Sequence, residues 1–333
     1  MGFGSFEEFC AKTPLPLCPL IGPVSAITGE HGIQSNCYAR SIELANTIIF
    51  EGATGFAHIL ALTMTVIMIV HVRSKFTAVG RKEITTFFYA YTLLTIFSLL
   101  VDCGVVPPGG SVYAYFVAAQ LGLASATALS LMINGFVGFQ LYEDGTTLSV
   151  WLLRICSVAM FLVSFAVSLL TFKGWAGLGP ENTTGIFVVV YLFSALFLAV
   201  YIVMQLILIV GTLQERWPLL HIFFGVLAFV LGQVILYQFS ETICDTAEHY
   251  LDALFFSTLA NLLAVMMVYK YWDSITKEDL EFSVGQRMNN WEVKELLPSD
   301  GGIEKRNTMY DDSEYSSSVF QHQPTVQRTS TYG

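Results

Sequence analysis

The sequence predicts an all-α polytopic membrane protein: a seven-helix transmembrane bundle with a lumenal N-terminus and a cytosolic tail. Three observations predict it. Seven apolar runs, each long enough to cross a bilayer, fill the chain between Thr47 and Trp272. The composition is 54% hydrophobic and only 13% charged, with a mean hydropathy of +0.60, which excludes an ordinary soluble domain. Lys and Arg collect at alternate span ends, which orients the bundle.

A hydrocarbon core of roughly 30 Å needs about 20 apolar residues in a helix. The runs Thr47–Val70, Ile84–Val106, Val112–Leu141, Thr147–Phe172, Ile186–Gly211, Leu219–Ser240 and Leu251–Trp272 meet that length. Backbone groups in lipid must be satisfied internally, so the runs are helices. Three regions follow: an N-terminal segment over 1–46, a membrane domain over 47–272 and a polar tail over 273–333.

In the first region Leu15–Ile27 is apolar, but Pro16, Pro19 and Pro23 interrupt it and no small-residue cleavage site follows. It is therefore not read as a signal peptide. The first span acts as its own insertion signal.

The loop after the first span carries Arg73, Lys75, Arg81 and Lys82; Arg216 follows the fifth span; Lys270, Lys277 and Arg287 surround the end of the seventh. Loops Pro107–Ser111 and Glu241–Tyr250 have neither Lys nor Arg, and Lys173 stands alone after the fourth span. Lys12 and Arg40 run against the trend and are outnumbered. This bias places the N-terminus outside the cytosol and the tail inside it.

Cys10, Cys18, Cys37, Cys103 and Cys244 then fall on or near the lumenal side, with Cys156 towards the cytosol. Lumenal thiols can form disulfides, so those five are the disulfide candidates, with connectivity open. Asn182-Thr183-Thr184 is an N-glycosylation acceptor in the loop after the fourth span, on the same side.

Charged groups inside a membrane are expensive. Glu51 and His58, seven residues apart, share a face of the first helix. They suit interhelical hydrogen bonding or, less readily, a proton relay. Asp102 and Asp252 lie near lumenal ends, where water is expected, and Arg154 near a cytosolic end, where it can snorkel. Gln120, Gln205, Gln233 and Asn261 suit bonds across helices.

The third run has small residues at four-residue spacing: Ala118, Gly122, Ala126 and Ser130, continued by Asn134 and Gly138. Such a ladder lets backbones approach closely, for packing inside the bundle or for a client docking on it.

The sequence contains no phosphate-binding glycine loop, no His-Glu-x-x-His helix and no Gly-x-Ser-x-Gly elbow. No catalytic residue, cofactor or metal ligand is assigned, and the protein is not read as an enzyme. The tail from Asp273 to Gly333 carries 11 Asp and Glu against 6 Lys and Arg. Half of the net charge of -10 lies there. That acidity argues against nucleic acid as a partner. A polar tail of this kind is expected to be disordered for most of its length. Two acid-x-acid triplets, Asp279-Leu280-Glu281 and Asp312-Ser313-Glu314, resemble cargo signals read by vesicle coats, so Asp279, Glu281, Asp312 and Glu314 are the sorting candidates.

Several longer strings are more specific. They are Gly4-Ser5-Phe6 through Cys18-Pro19-Leu20, Cys37-Tyr38-Ala39-Arg40-Ser41, Gly145-Thr146-Thr147-Leu148-Ser149-Val150-Trp151 and Ser240-Glu241-Thr242-Ile243-Cys244-Asp245. With the last span and Trp272-Asp273, they resemble the fungal chitin synthase export chaperones over roughly residues 3–285. That resemblance implies a multi-pass protein of the endoplasmic reticulum membrane that helps a polytopic chitin synthase fold and leave that compartment, in support of cell-wall chitin. It implies no catalytic residues and no cofactor.

A seven-span receptor shares the helix count and orientation. However, Leu141-Tyr142-Glu143 ends the third span where an acid-Arg-aromatic triplet is expected, and the last span lacks Asn-Pro-x-x-Tyr. A proton-coupled transporter rests on Glu51, His58 and Asp102. Lys270 lies at the end of the last helix, which disfavours retinal attachment.

Overall fold

In the computed structural model, residues 4–24, 31–36, 39–44, 47–49, 51–76, 78–139, 145–175, 177–212 and 216–285 are described. The compact unit runs Met1–Ser283. It begins with a short helix α1 (Glu7–Lys12), a 3-10 turn (Cys18–Leu20) and an antiparallel hairpin of β1 (Ile42–Leu44) and β2 (Thr47–Ile49), in which Glu43 faces Ile48. Seven long helices follow: α2 (Gly52–Ser74), α3 (Arg81–Asp102), α4 (Tyr113–Val137), α5 (Thr147–Lys173), α6 (Thr184–Gly211), α7 (Trp217–Gln238) and α9 (Ala253–Gly285). A short α8 (Ser240–Thr246) joins the last two. All seven are long and apolar enough to span a membrane, so the all-α reading holds.

The first span is displaced from its expected position. Thr47-Ile48-Ile49 reads as the start of an apolar run, but β-branched residues fit a pleated strand well, and here they form β2. Glu51 then takes a left-handed backbone, φ 46° and ψ 50°, and helix α2 starts only at Gly52. The third helix is also shorter than the expected run to Leu141: α4 ends at Val137. In the other direction, α9 continues as helix beyond Trp272 to Gly285, through Asp279 and Glu281. Asp312 and Glu314 lie outside the described residues.

The bundle is built around α4, which packs on α3, α5 and α6, while α2 packs on α3. Small side chains make this possible. Ala118, Gly122, Ala126 and Ser130 are all buried. A Cβ on Gly122 would stand 2.9 Å from the Phe161 ring and 3.1 Å from the Phe161 carbonyl, so the α4 and α5 backbones meet at glycine distance. These four residues of the ladder are taken up by packing inside the bundle. On the other side of α4, Gly135 is pressed by Tyr201 and Gln205 of α6. A similar approach joins α7 to α9, where a Cβ on Gly232 would lie 2.8 Å from that of Ala260.

The outward faces of α5 and α6 are apolar, with Trp151, Leu152, Ile155, Leu196 and Val203 exposed. This is the reverse of a soluble helix and suits contact with lipid. Within α6, Phe187–Leu192 form a π segment.

The N-terminal segment is a plug over one end of the bundle. Leu15, Leu17, Cys18 and Ile21 are buried against Val101, Val106, Tyr113, Val117, Ile186 and Leu236. The prolines that disqualify Leu15–Ile27 as a span let it fold back on itself instead. Thr13 donates to the Leu236 carbonyl at 2.8 Å, Tyr113 to that of Pro16 at 2.8 Å, and Thr183 to that of Gly4 at 2.7 Å.

Candidate functional site

The polar groups of the bundle gather at its two ends. At the plugged end, α2, α3 and α9 bring together Glu51, Thr54, His58, Asp102, Cys103 and Asp252. His58 Nε2 lies 2.8 Å from Asp102 Oδ2, with the two side chains 8% and 6% exposed. Asp252 is 1% exposed. Its Oδ1 accepts from the Thr54 hydroxyl at 3.1 Å and from the Phe255 backbone N–H at 3.1 Å. Asp252 thereby caps α9 and ties it to α2.

Asp102 and Asp252 were expected beside water, and the structure buries both. The plug and the packed helix ends close over them. Burial leaves Glu51 Oε2, Asp102 Oδ1 and Asp252 Oδ2 with no hydrogen-bond partner among the described residues. Glu51 and Asp252 precede the first residues of α2 and α9, and Cys103 follows the last of α3. Burial, reinforced by the charges of Asp252 and Asp102, holds the Glu51 carboxyl well above the usual range. Burial also raises Asp252, while the Phe255 N–H and the Thr54 hydroxyl pull against that rise. The Cys103 thiol is pushed up to about 11 by burial and then by Asp102 and Glu51.

Beside this cluster, Cys10 and Cys18 form a disulfide, their Cα atoms 5.5 Å apart. It staples α1 to the 3-10 turn. Cys244 is also disulfide-bonded and buried, and Cys37 lies outside the described residues. Cys103, a disulfide candidate in the sequence, is a free thiol. Its Sγ sits 2.6 Å from where a Cβ on Gly55 would be, so it packs into the α2–α3 contact. Cys156 is free as well. Asn182 is exposed in a turn closed by its N–H to the Gly179 carbonyl at 2.9 Å. It is at the same end of the bundle as the disulfide. Nearby, Phe6, Phe9, Phe187, Tyr191, Tyr237 and Gln233 line a cleft of about 340 Å³ between the plug, the π segment and α7.

At the tail end, several contacts fix the connecting loops. Glu83 is fully buried, and its Oε1 accepts from the Gly145 N–H at 2.9 Å and the Ser149 hydroxyl at 3.0 Å. Lys82 reaches the Gly145 carbonyl at 2.7 Å. The loop entering α5 is thus held by the start of α3. Lys75 pairs with Asp273, and the Trp272 indole N–H donates to the Val79 carbonyl at 3.1 Å. Tyr271 donates to Gln205 Oε1 at 2.5 Å, and Gln205 Nε2 donates to the Gly135 carbonyl at 3.3 Å.

The four polar residues expected to bond across helices include Gln205, and the others do so too. Gln120 reaches Ser98 at 3.0 Å, and Gln233 reaches Asn261 at 3.4 Å. His58 bonds across helices as well, to Asp102 rather than to its helix neighbour Glu51. Arg154 is exposed. Sequence reasoning missed Glu83, to which it gave no role, and the Lys75–Asp273 pair, in which Lys75 counted only as a loop charge and Asp273 as the first acid of the tail. An acid beside Arg81 and Lys82 at the lip of an apolar run was the available signal.

Fold and polar groups together define a polytopic seven-helix membrane protein in which several buried polar residues tie helix to helix. The chain belongs to the chitin synthase export chaperone family, whose model it matches over residues 2–286. It is 65% identical over 336 residues to a chitin synthase export chaperone of Aspergillus clavatus, covering 100% of this chain and 99% of the relative. It is 64% identical over 335 residues to that of Coccidioides immitis, covering 100% and 98%. To that of Neurospora crassa it is 63% identical over 313 residues, covering 94% and 87%. No solved structure matches the chain. The family name denotes a chaperone rather than a catalyst.

Proposed function

We propose that this chain is a multi-pass chaperone of the endoplasmic reticulum membrane that helps a chitin synthase fold and leave that compartment. The observation that carries the reading is the family membership, over residues 2–286 and along the whole chain in the Aspergillus clavatus relative. Its physical form is consistent with such work: a tightly packed α3–α4–α5 core, with helices α5 and α6 offering broad apolar faces within the bilayer.

In this reading the plugged end faces the lumen and the tail end the cytosol. The Cys10–Cys18 disulfide supports it, because such bonds persist in oxidising compartments, as does exposed Asn182 at the same end. The clustering of Lys and Arg at the opposite end agrees. The chitin synthase is the direct client, and coat recognition of Asp279 and Glu281, or of Asp312 and Glu314, completes the export role.

The test is a deletion strain with a tagged chitin synthase. The synthase should remain in the endoplasmic reticulum while its messenger level stays normal, and it should co-purify with the chaperone in mild detergent. Normal delivery to the cell surface in the deletion strain would overturn the proposal.

A further inference from the structure

We propose that Glu51, His58, Asp102 and Asp252 form a proton-binding site at the plugged end of the bundle, in which Glu51 holds a proton that locks α2, α3 and α9 together. This property belongs to the chain by itself and needs no client.

The argument starts from charge. Three carboxyl groups converge with a single imidazole, so full ionisation would leave uncompensated negative charge even with His58 protonated. Each acid also keeps one buried oxygen without a partner among the described residues: Glu51 Oε2, Asp102 Oδ1 and Asp252 Oδ2. Asp102 and Asp252 are themselves more than nine-tenths buried, at 6% and 1% exposure. An isolated buried carboxylate is so costly that the group neutralises by taking up a proton instead. Three buried carboxyl oxygens without a partner among the described residues therefore call for a positively charged or hydrogen-donating occupant.

A metal ion does not fit. Among the described residues, no three His, Cys, Asp or Glu side chains stand close enough to hold one. A proton on Glu51 does. It turns an acceptor-only carboxylate into a hydroxyl donor, able to supply the hydrogen that a free oxygen of Asp252 or Asp102 lacks. Glu51 is the member best placed for this. It sits at the head of α2 on a left-handed backbone, and the charges of both Asp252 and Asp102 bear on it.

The remaining charged groups nearby do not answer the need. On α2 the only other titratable group of the cluster is His58, already engaged by Asp102. Just after α3, next to Asp102, is the Cys103 thiol, which burial keeps protonated. Before α9, Arg40 is exposed and lies over the Tyr250 ring, 5.1 Å from its centroid. His249 Nδ1 lies 3.4 Å from Cys244 Sγ.

The sign follows. The folded protein holds this proton more tightly than the unfolded chain, where a glutamate has its ordinary value of 4.5. The stabilisation is present at low pH and is lost as pH rises towards the folded-state value.

The experiment uses the full chain purified in mild detergent. Infrared difference spectra should show the carbonyl band of a protonated carboxyl persisting above the ordinary carboxylate range, and Glu51→Gln should abolish it. Thermal melts should lose a few degrees as pH rises from about 5 to about 8, and E51Q should flatten that slope while the exposed-site control Glu181→Gln keeps it. Should E51Q fail to accumulate, Asp252→Asn retains a good helix cap and removes a charge that favours the proton, so the band should titrate at lower pH. A wild-type protein without the band, an E51Q protein that keeps both band and slope, or an unmoved midpoint in D252N would each overturn the proposal.

Discussion

Lys75, just past the end of α2, pairs with Asp273 on α9, and this contact closes the tail end of the bundle between its first and last spanning helices. The neighbouring Trp272 is 6% exposed and bonded to Val79 in the same loop. The root of the tail is therefore held to the first loop by a charge pair and a buried indole together.

The two parts of this latch should differ in weight. The Lys75 side chain is 32% exposed, so solvent screens the pair, and Asp273→Ala should cost only about 1 kcal/mol. Trp272→Ala removes a buried aromatic together with its hydrogen bond and should cost about 3–5 kcal/mol. Thermal melts of the two variants in detergent would show the order; equal losses would contradict it.

Gly122→Leu should destabilise the α4–α5 contact by about 1–3 kcal/mol, because the added atoms enter the Phe161 ring and backbone. Leu280→Ala, beyond the bundle core, should leave the melt unchanged. Chaperone abundance measured beside chitin synthase delivery separates loss of the protein from loss of its action. An unaltered melt for G122L would show that α5 can move aside.

Mass spectrometry without reductant should recover a linked peptide containing Cys10 and Cys18, and a second containing Cys244 whose partner the fragment identifies. Cys103 and Cys156 should be alkylated freely once the protein is unfolded. The Cys10–Cys18 bridge closes a short loop, so Cys10→Ser should cost roughly 2–3 kcal/mol. A linked peptide containing Cys103 would refute this arrangement.

Protease added to sealed microsomes should remove an epitope at the C-terminus and spare one at the N-terminus. Asn182→Gln should abolish any glycosidase-sensitive mobility shift. Protection of the C-terminal epitope would reverse the proposed orientation.

The seven spans were legible because lipid imposes one requirement on every residue of a run, and a run of about 20 residues averages out local exceptions. Their ends were less so. At Thr47–Ile49 apolar character and strand preference coincide, and nothing local says that the helix waits for the left-handed Glu51. The cross-helix amides Gln120, Gln205 and Gln233 were legible because an amide in hydrocarbon needs a partner. Which partner it finds depends on rotation about each helix, and the sequence does not encode that locally. His58 illustrates this. The acid expected beside it is Glu51, but its partner is Asp102, 44 residues away. The depth of Asp102 and Asp252 was misjudged for a related reason. Position near a span end implies water only if nothing folds over that end, and here the plug does.

The π segment Phe187–Leu192 has a further consequence for the bundle's geometry. Widening one turn to i→i+5 bonding absorbs one extra residue, equivalent to about 100° of α-helical rotation. Within it, Phe187 and Tyr191 meet Phe6 of the plug, with ring centroids 6.1 and 5.2 Å apart. After it, Tyr201 and Gln205 meet Gly135 on α4. The wide turn acts as a phase shifter between these two stretches of one helix. Each can be keyed to its own neighbour, and removing a single residue there would force one of the two keys out of its lock.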